Sequence, residues 1–202
     1  MPGAASVNEG QGATTPVVHR VLRDGDLLIN HSVIAGDNRP VAVRFDLWQI
    51  TEGRVVDHWA DEEPWAATTA NGHTQIDGPT TVDPTADPDL TRRVAVAAVQ
   101  TILVDGDVGA LDDHLAGEDY VQHNPRFADG VSGLVAALAA PAEQGITMRY
   151  DGLGQVVADG DFAYIRIRSE GTFADAPYVF HDLFRVADGR CVEHWDVMVK
   201  RA

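Results

Sequence analysis

The sequence predicts an α+β fold: three helices cover one face of a cone-shaped, curved antiparallel sheet, and a partial repeat of antiparallel strands precedes them. Three observations predict it. Apolar and polar residues alternate near both ends of the chain, as in half-buried strands. Helical spacing occurs only in the middle, and the early strand pattern returns about 135 residues later. We expect a disordered, Gly-rich lead-in at 1–16, a strand-only repeat at 17–65, a linker at 66–87 and a complete domain at 88–202.

The composition argues against two classes of binding partner. The 202 residues carry a net charge of −16, which argues against nucleic acid and anionic membranes. Cys191 is the single cysteine, so no internal disulfide forms, and a cytoplasmic location fits. The first residues lack the basic start and apolar core of a signal peptide, and no apolar run has the length of a membrane helix.

Four strands are predicted before the linker, and they form an antiparallel meander. Turns at Arg23-Asp24-Gly25 and Thr51-Glu52-Gly53 connect two of the strand pairs. The strands span 17–22, 26–34, 40–50 and 54–59. Residues 60–89 are rich in Thr, Pro, Gly and Asp, so they are expected to form an irregular loop.

Helices are predicted next, each begun by an aspartate. Asp87 precedes Pro88 and caps a helix that runs to about Val104. Asp107 caps a second helix and Asp129 a third, and each has one apolar stripe. After Pro141 the pattern is again that of strands, at 146–157, 161–168, 177–186 and 190–199. Helices with one apolar stripe must lie on one face of this sheet, which leaves a concavity suited to a small ligand.

An internal duplication underlies both groups of strands. VLRDGDLLI at 21–29 matches VVADGDFAYI at 156–165, and FDLWQITEGRVVDHWAD at 45–61 matches HDLFRVADGRCVEHWDV at 181–197. Two hairpins in the same order indicate a repeat.

The last hairpin, residues 180–199, carries the candidate chemistry. A three-residue loop at 187–189 would pair Val186 with Arg190 and place Asp182 opposite His194. Asp196 would then lie diagonally from Asp182, about 7–8 Å away. A two-residue loop would instead place the two sets of side chains on opposite faces.

Two carboxylates and an imidazole would thus project among Phe, Tyr, Val and Met side chains. Burial among apolar groups raises a carboxyl pKa, which suits proton transfer near neutral pH. A satisfied core pair, or a solvated face, is the structural alternative. On this register Cys191 lies on the other face with Glu193 and Trp195, so it is not a nucleophile.

The element order, the YVQHNP segment at 120–125 and the closing FRVADGRCVEHWD resemble the nuclear-transport-factor-2-like superfamily and, within it, the SnoaL-like polyketide cyclases. The resemblance covers residues 88–200 as a complete domain and 14–65 as half of another. It implies cofactor-free acid–base chemistry in which an aspartate on the last strand removes a proton alpha to a carbonyl. No metal site is expected, because the His, Cys and Asp residues show no cluster with the spacing of metal ligands. The fold also hosts non-catalytic modules.

Carried onto this sequence, the resemblance makes Asp196 the base, with Asp182 and His194 as tuning and donating groups. His123 and Asn124 occupy the position that lines the pocket. The substrate-binding residues are completed by Tyr120, Phe180, Phe184 and Met198. The hypothesis is an enzyme that acts on a small hydrophobic, polyketide-like carbonyl compound by proton abstraction, aldol cyclisation or isomerisation. The alternative is a non-catalytic ligand-binding or dimerisation module.

The first copy departs from this pattern. Asp46 and His58 match Asp182 and His194, but Ala60 stands where Asp196 stands, so we expect no second active site. Without helices, the sheet of the first copy would expose apolar side chains. Three segments could pack against it: the outer face of the second copy's sheet, residues 61–90, or further residues of a longer natural chain. The first would make an internal pseudo-dimer, whereas the superfamily otherwise implies a homodimer.

Overall fold

A computed structural model describes residues 15–37, 39–143, 150–172 and 176–201. Residues 1–14 of the predicted lead-in at 1–16 lie outside the described residues, whereas Thr15 and Pro16 already belong to the first strand. Residues 146–149, the start of the strand predicted at 146–157, also lie outside the described residues. Within the described part, two sheets are joined by a connector, residues 65–87, and a helical segment. The N-terminal sheet contains β1 (Thr15–Asp24), β2 (Leu27–Gly36), β3 (Arg39–Thr51) and β4 (Arg54–Pro64), in that order.

The C-terminal unit has the predicted α+β architecture. Its sheet has the order β5-β9-β8-β7-β6, in which the short β5 runs parallel to β9 and the other pairs are antiparallel. The strands are β5 (Val121–Gln122), β6 (Leu153–Asp159), β7 (Phe162–Thr172), β8 (Ala176–Ala187) and β9 (Arg190–Lys200). The helices are α1 (Pro88–Val99), α2 (Leu111–His114) and α3 (Gly130–Glu143).

The helical starts follow the sequence signals only in part. Asp87 caps α1 through the Asp89 backbone N–H, as predicted. The helix then continues as a π-helical turn over Gln100–Val104. Asp107 caps only a 3-10 turn at Val108–Ala110, which leads into the four residues of α2, so the predicted second helix is much shorter than expected. Asp129 directly precedes α3; its Oδ1 accepts a hydrogen bond from the backbone N–H of Gln122, and its Oδ2 lies 3.0 Å from Nε2 of His73.

Two apolar cores lie on the two faces of the C-terminal sheet. The first is formed by the helices and the concave face, with α1 residues Ala95, Ala98 and Val99 against Phe180 and Phe184. The second lies between the two sheets. It contains Leu22, Ile29, Val33, Val43, Phe45 and Leu47 from the N-terminal sheet, and Val157, Phe162, Tyr164, Leu183, Trp195 and Val197 from the C-terminal sheet.

The apolar face of the partial repeat is therefore buried against the other sheet. One face of the N-terminal sheet packs on the outer face of the C-terminal sheet, the first of the three possibilities considered above. Within residues 61–90, Ile76 belongs to the core between the sheets, and Trp65 and Val82 pack against it. Val18, Val21, Val55 and Val56 are exposed on the N-terminal strands. Among the described helices, none combines the length and the apolar character needed to cross a membrane.

Candidate active site

The β8–β9 hairpin has a register different from the predicted one. Its loop has two residues, Asp188 and Gly189, with φ of 50° and 74°, and Ala187 pairs with Arg190. The prediction of a three-residue loop is therefore wrong. A register shift follows, because Val186 pairs with Cys191 but Arg185 pairs with Glu193.

Val192 is the extra residue of this β-bulge, and it restores the shared face that a two-residue loop alone would destroy. Asp182 consequently lies directly opposite Asp196, and His194 lies opposite Phe184 rather than opposite Asp182 as predicted. Because of the bulge, Cys191 lies in the core under the helices, and the prediction that it shares a face with Glu193 and Trp195 is wrong. Burial raises the pKa of the Cys191 thiol to about 12, so it remains inert.

A cavity of about 70 Å³ lies between the helices and the concave face of the sheet. Its walls are mostly apolar, and the polar side chains lie at one end. The apolar wall is formed by Ala98, Val99, Ile102, Leu103, Leu115, Phe127, Leu134, Leu138, Phe180, Phe184 and Met198, with Tyr120 and Tyr150. The polar end is formed by Gln122, Asp182, His194 and Asp196. The volume exceeds the roughly 10–15 Å³ that one water needs, so a small ligand fits beside the carboxylates.

Gln122 determines the protonation of His194. The Gln122 Oε1 accepts bonds from the backbone N–H groups of His123 and Asn124, at 3.0 and 2.9 Å, which identifies this atom as the oxygen. The same oxygen lies 2.9 Å from Nδ1 of His194. Because an amide oxygen only accepts, Nδ1 carries a proton.

The second ring nitrogen of His194 faces a carboxylate. Nε2 lies 3.0 Å from Oδ1 of Asp182, inside the protein. Burial alone would lower the pKa of His194, but the hydrogen bond to Asp182 and the charges of Asp196 and Asp182 outweigh it and raise that pKa. His194 is thus favoured as an imidazolium that neutralises Asp182.

Asp196 is the strongly perturbed carboxyl. Burial, together with the charges of Asp182 and Glu63, raises its pKa to about 7, against the opposing effects of His194 and of a hydrogen bond from Asn124. That bond joins Nδ2 of Asn124 to Oδ2 of Asp196 at 2.7 Å. Among the described residues, Oδ1 of Asp196 and Oδ2 of Asp182 are buried without a hydrogen-bond partner, and both residues line the cavity.

Asp182, His194 and Asp196 each offer an atom that could bind a metal ion, and these atoms lie within 4.8 Å of one another. The hydrogen bonds of His194 already use both of its nitrogens. The remaining cavity wall supplies mainly apolar groups, whereas divalent cations require several more oxygen or nitrogen ligands. The donor set therefore fits proton transfer better than metal binding.

The other predicted site residues separate into two groups. Tyr120, Phe180, Phe184 and Met198 line the cavity. His123 does not: its ring stacks on Trp195, 4.7 Å between centroids, on the side that faces the N-terminal sheet. Its nitrogens bond to the Thr74 carbonyl oxygen and to Glu193. The placement of His123 in the pocket is therefore wrong, whereas its neighbour Asn124 reaches Asp196.

The first copy retains half of this constellation on an open face. His58 Nε2 lies 2.8 Å from Oδ1 of Asp46, as His194 does beside Asp182. Ala60 pairs with Asp46 at the position of Asp196. Arg44 donates two hydrogen bonds of 2.8 Å to Asp46, so this carboxylate is fully paired.

Sequence reasoning did not identify Gln122 or Glu63. Alternation along 120–124 places Tyr120, Gln122 and Asn124 on one face and His123 on the other, so that signal was present. Glu63 lies on β4, far from Asp196 in sequence, and no local pattern indicates its position beside the C-terminal domain.

Residues 95–194 match the model of the SnoaL-like domain. No curated protein matches the chain.

Several solved structures resemble part of it. An NTF2-like protein of unknown function from Mesorhizobium loti is 28% identical, with a TM-score of 0.47, over 59% of this chain and 98% of that chain. TsrD from Streptomyces laurentii is 25% identical, with a TM-score of 0.43, over 55% and 90% of the two chains. An LEH-like epoxide hydrolase from M. tuberculosis is 21% identical, with a TM-score of 0.43, over 55% and 84%.

Proposed function

Because residues 95–194 form a SnoaL-like domain, we propose that the chain is a cofactor-independent acid–base enzyme that acts on a small, neutral, hydrophobic carbonyl compound. The observation that carries the proposal is Asp196: a buried carboxyl whose pKa is raised to about 7, with a free Oδ1 in an apolar cavity. A general base is most effective when its pKa lies near the working pH.

The first step is proton abstraction. Oδ1 of ionised Asp196 takes the proton alpha to the substrate carbonyl, and the C–H electron pair becomes the enolate. Asn124 holds Oδ2, which fixes the orientation of the base.

The positive charge of the His194 imidazolium and the Tyr120 hydroxyl stabilise the negative charge on the enolate oxygen. Burial raises the pKa of Tyr120, so its hydroxyl remains a donor. When the substrate has a β,γ double bond, the enolate is a dienolate, and Asp196 returns the proton to its γ carbon, which is an isomerisation. Alternatively it attacks a second carbonyl, and Asp196 protonates the new alkoxide, which is an aldol cyclisation.

The lining limits the substrate class. Among the described residues that line the cavity there is no Lys or Arg. An anionic ligand would therefore meet two carboxylates with only one imidazolium to balance them, and a neutral compound is favoured.

The test is exchange of the alpha hydrogens of cyclohexanone in D₂O, followed by ¹H NMR. We expect the full chain to accelerate exchange and Asp196→Asn to reduce the rate by about 10²–10⁴-fold. Asp46→Asn, the same change at the residue of the first copy that matches Asp182, should leave the rate unchanged. Equal rates for Asp196→Asn and the unmodified chain would refute Asp196 as the base.

The second candidate is a binding module of the same fold. The narrow, largely apolar cavity favours it, because such a cavity can hold a ligand without any reaction. Saturation-transfer NMR showing bound cyclohexanone with no alpha exchange across pH 5–9 would favour this candidate and overturn the enzymatic one.

A further inference from the structure

Glu63 connects the N-terminal sheet to the candidate base. It lies near the end of β4, and only 5% of the residue is exposed. Its Oε1 accepts a 2.8 Å hydrogen bond from Nη2 of Arg126, and its Oε2 accepts a 3.1 Å bond from the backbone N–H of Met198. Both partners belong to the C-terminal domain.

Each of these two partners is connected to Asp196, one along the same strand and the other by hydrogen bonds. Met198 lies two residues beyond Asp196 on β9, and its side chain lines the cavity. The backbone N–H of Arg126 donates to Oδ1 of Asn124 at 2.8 Å, and Nδ2 of Asn124 donates to Asp196. Glu63 thus holds both the strand that carries the base and the loop that carries its hydrogen-bond donor.

The connector supports the same loop. Nδ2 of Asn71 donates to the backbone oxygens of Asn124 and Phe127, at 2.8 and 2.9 Å. Residues that precede the SnoaL-like domain therefore fix Asn124 from two directions.

We propose that Glu63 is a positioning residue for Asp196, and that the degenerate first copy is retained because it completes the site of the second. The role rests on the proposed function, in which Asp196 is the base. The first copy would thereby do within one chain what a partner subunit could do in a dimer.

The electrostatics agree with the geometry. The charged groups that act on Asp196 are His194 on its own strand, Asp182 on β8 and Glu63 on β4. Asn124 is the neutral donor from the fourth side. The negative charge of Glu63 raises the pKa of Asp196. A buried carboxylate near another carboxylate is unfavourable for folding, which is consistent with a functional reason for Glu63.

The experiment compares Glu63→Gln with Glu62→Gln in the full chain. The first change keeps the side-chain shape and an acceptor oxygen but removes the charge. Glu62 is the matched control, because its side chain is 54% exposed and lies beside Arg44. The measurements are the pKa of Asp196 by carboxyl NMR titration, and kcat and KM for cyclohexanone exchange as functions of pH.

We expect Glu63→Gln to lower the pKa of Asp196 by about one unit, to shift the acid limb of the kcat profile by the same amount, and to change KM little. Glu62→Gln should change neither quantity. Asn71→Ala provides a second probe: it should lower kcat without moving the pKa as far, because it loosens the loop but removes no charge.

The two proposals fail separately. An unchanged pKa and unchanged kcat in Glu63→Gln, with activity still dependent on Asp196, would overturn the role of Glu63 alone. A shifted pKa in a chain that exchanges no alpha hydrogens would retain the structural link but refute the enzymatic function.

Discussion

Asp182 and Asp196 lie directly opposite each other across the β8–β9 pair, on the face that lines the cavity. Two like charges in this position destabilise a sheet. His194 offsets one of them, since its Nε2 lies 3.0 Å from Oδ1 of Asp182. Burial, together with the charges of Asp182 and Glu63, raises the pKa of Asp196, and the charge of His194 offsets this only in part. The hairpin therefore creates one neutralised carboxylate and one that can hold or release a proton near neutral pH.

The first prediction concerns stability as a function of pH. The pKa of Asp196 is raised from 3.8 to about 7, so the native state holds this proton more tightly than the unfolded state does. Stability due to this group is present below about pH 4 and falls as the pH rises to about 7. The shift corresponds to at most roughly 4 kcal/mol. Asp196→Asn should therefore stabilise the protein at pH 8 and have little effect at pH 4.

Urea unfolding at pH 4, 6 and 8 measures this difference. Asp46→Asn is the control, because Arg44 and His58 already pair with Asp46, and its effect should not increase with pH in the same way. A constant difference between Asp196→Asn and the unmodified chain over this range would contradict the raised pKa.

The second prediction concerns Gln122. Gln122→Met has a similar length but no oxygen to accept the proton on Nδ1 of His194. The charged ring loses a hydrogen bond, so the pKa of His194 should fall. NMR titration of the imidazole carbons measures it. His181 is an internal reference, since burial lowers its pKa and its partners are Tyr164 and Asp61. An unchanged titration of His194 would contradict the role assigned to Gln122.

Much of the fold could be predicted from sequence. The duplication and the alternation of the strands give the two sheets, and Asp87-Pro88 gives the start of α1. Duplication is also visible in the hairpins: the β3–β4 loop at Glu52-Gly53 has two residues with positive φ, and a register shift follows it at Gln49/Ile50, as at Arg185/Val186. The two copies therefore share a bulge as well as a sequence pattern.

The site could be predicted only in part, because a bulge reverses the conclusion drawn from alternation. Alternation places Asp182, His194 and Asp196 on one face only with a three-residue loop. The loop has two residues, and the extra residue Val192 in the bulge compensates for the difference. Nothing in the local sequence marks Val192 as the extra residue. The role of Glu63 could not be predicted for a different reason. Its contacts with Arg126 and Met198 depend on how the two sheets pack together.

The last prediction separates the cavity from the surface of the same helix. Ala98 is buried and lines the cavity on α1, whereas the adjacent Ala97 is exposed. Leucine and alanine have similar helix propensities, so Ala98→Leu and Ala97→Leu should both fold. Only Ala98→Leu places three more carbon atoms in the cavity of about 70 Å³. It should abolish saturation transfer to cyclohexanone and reduce alpha exchange, whereas Ala97→Leu should match the unmodified chain. Equal binding by both variants would mean that the ligand site lies elsewhere, and the roles of Asp182, His194 and Asp196 would have to be abandoned together.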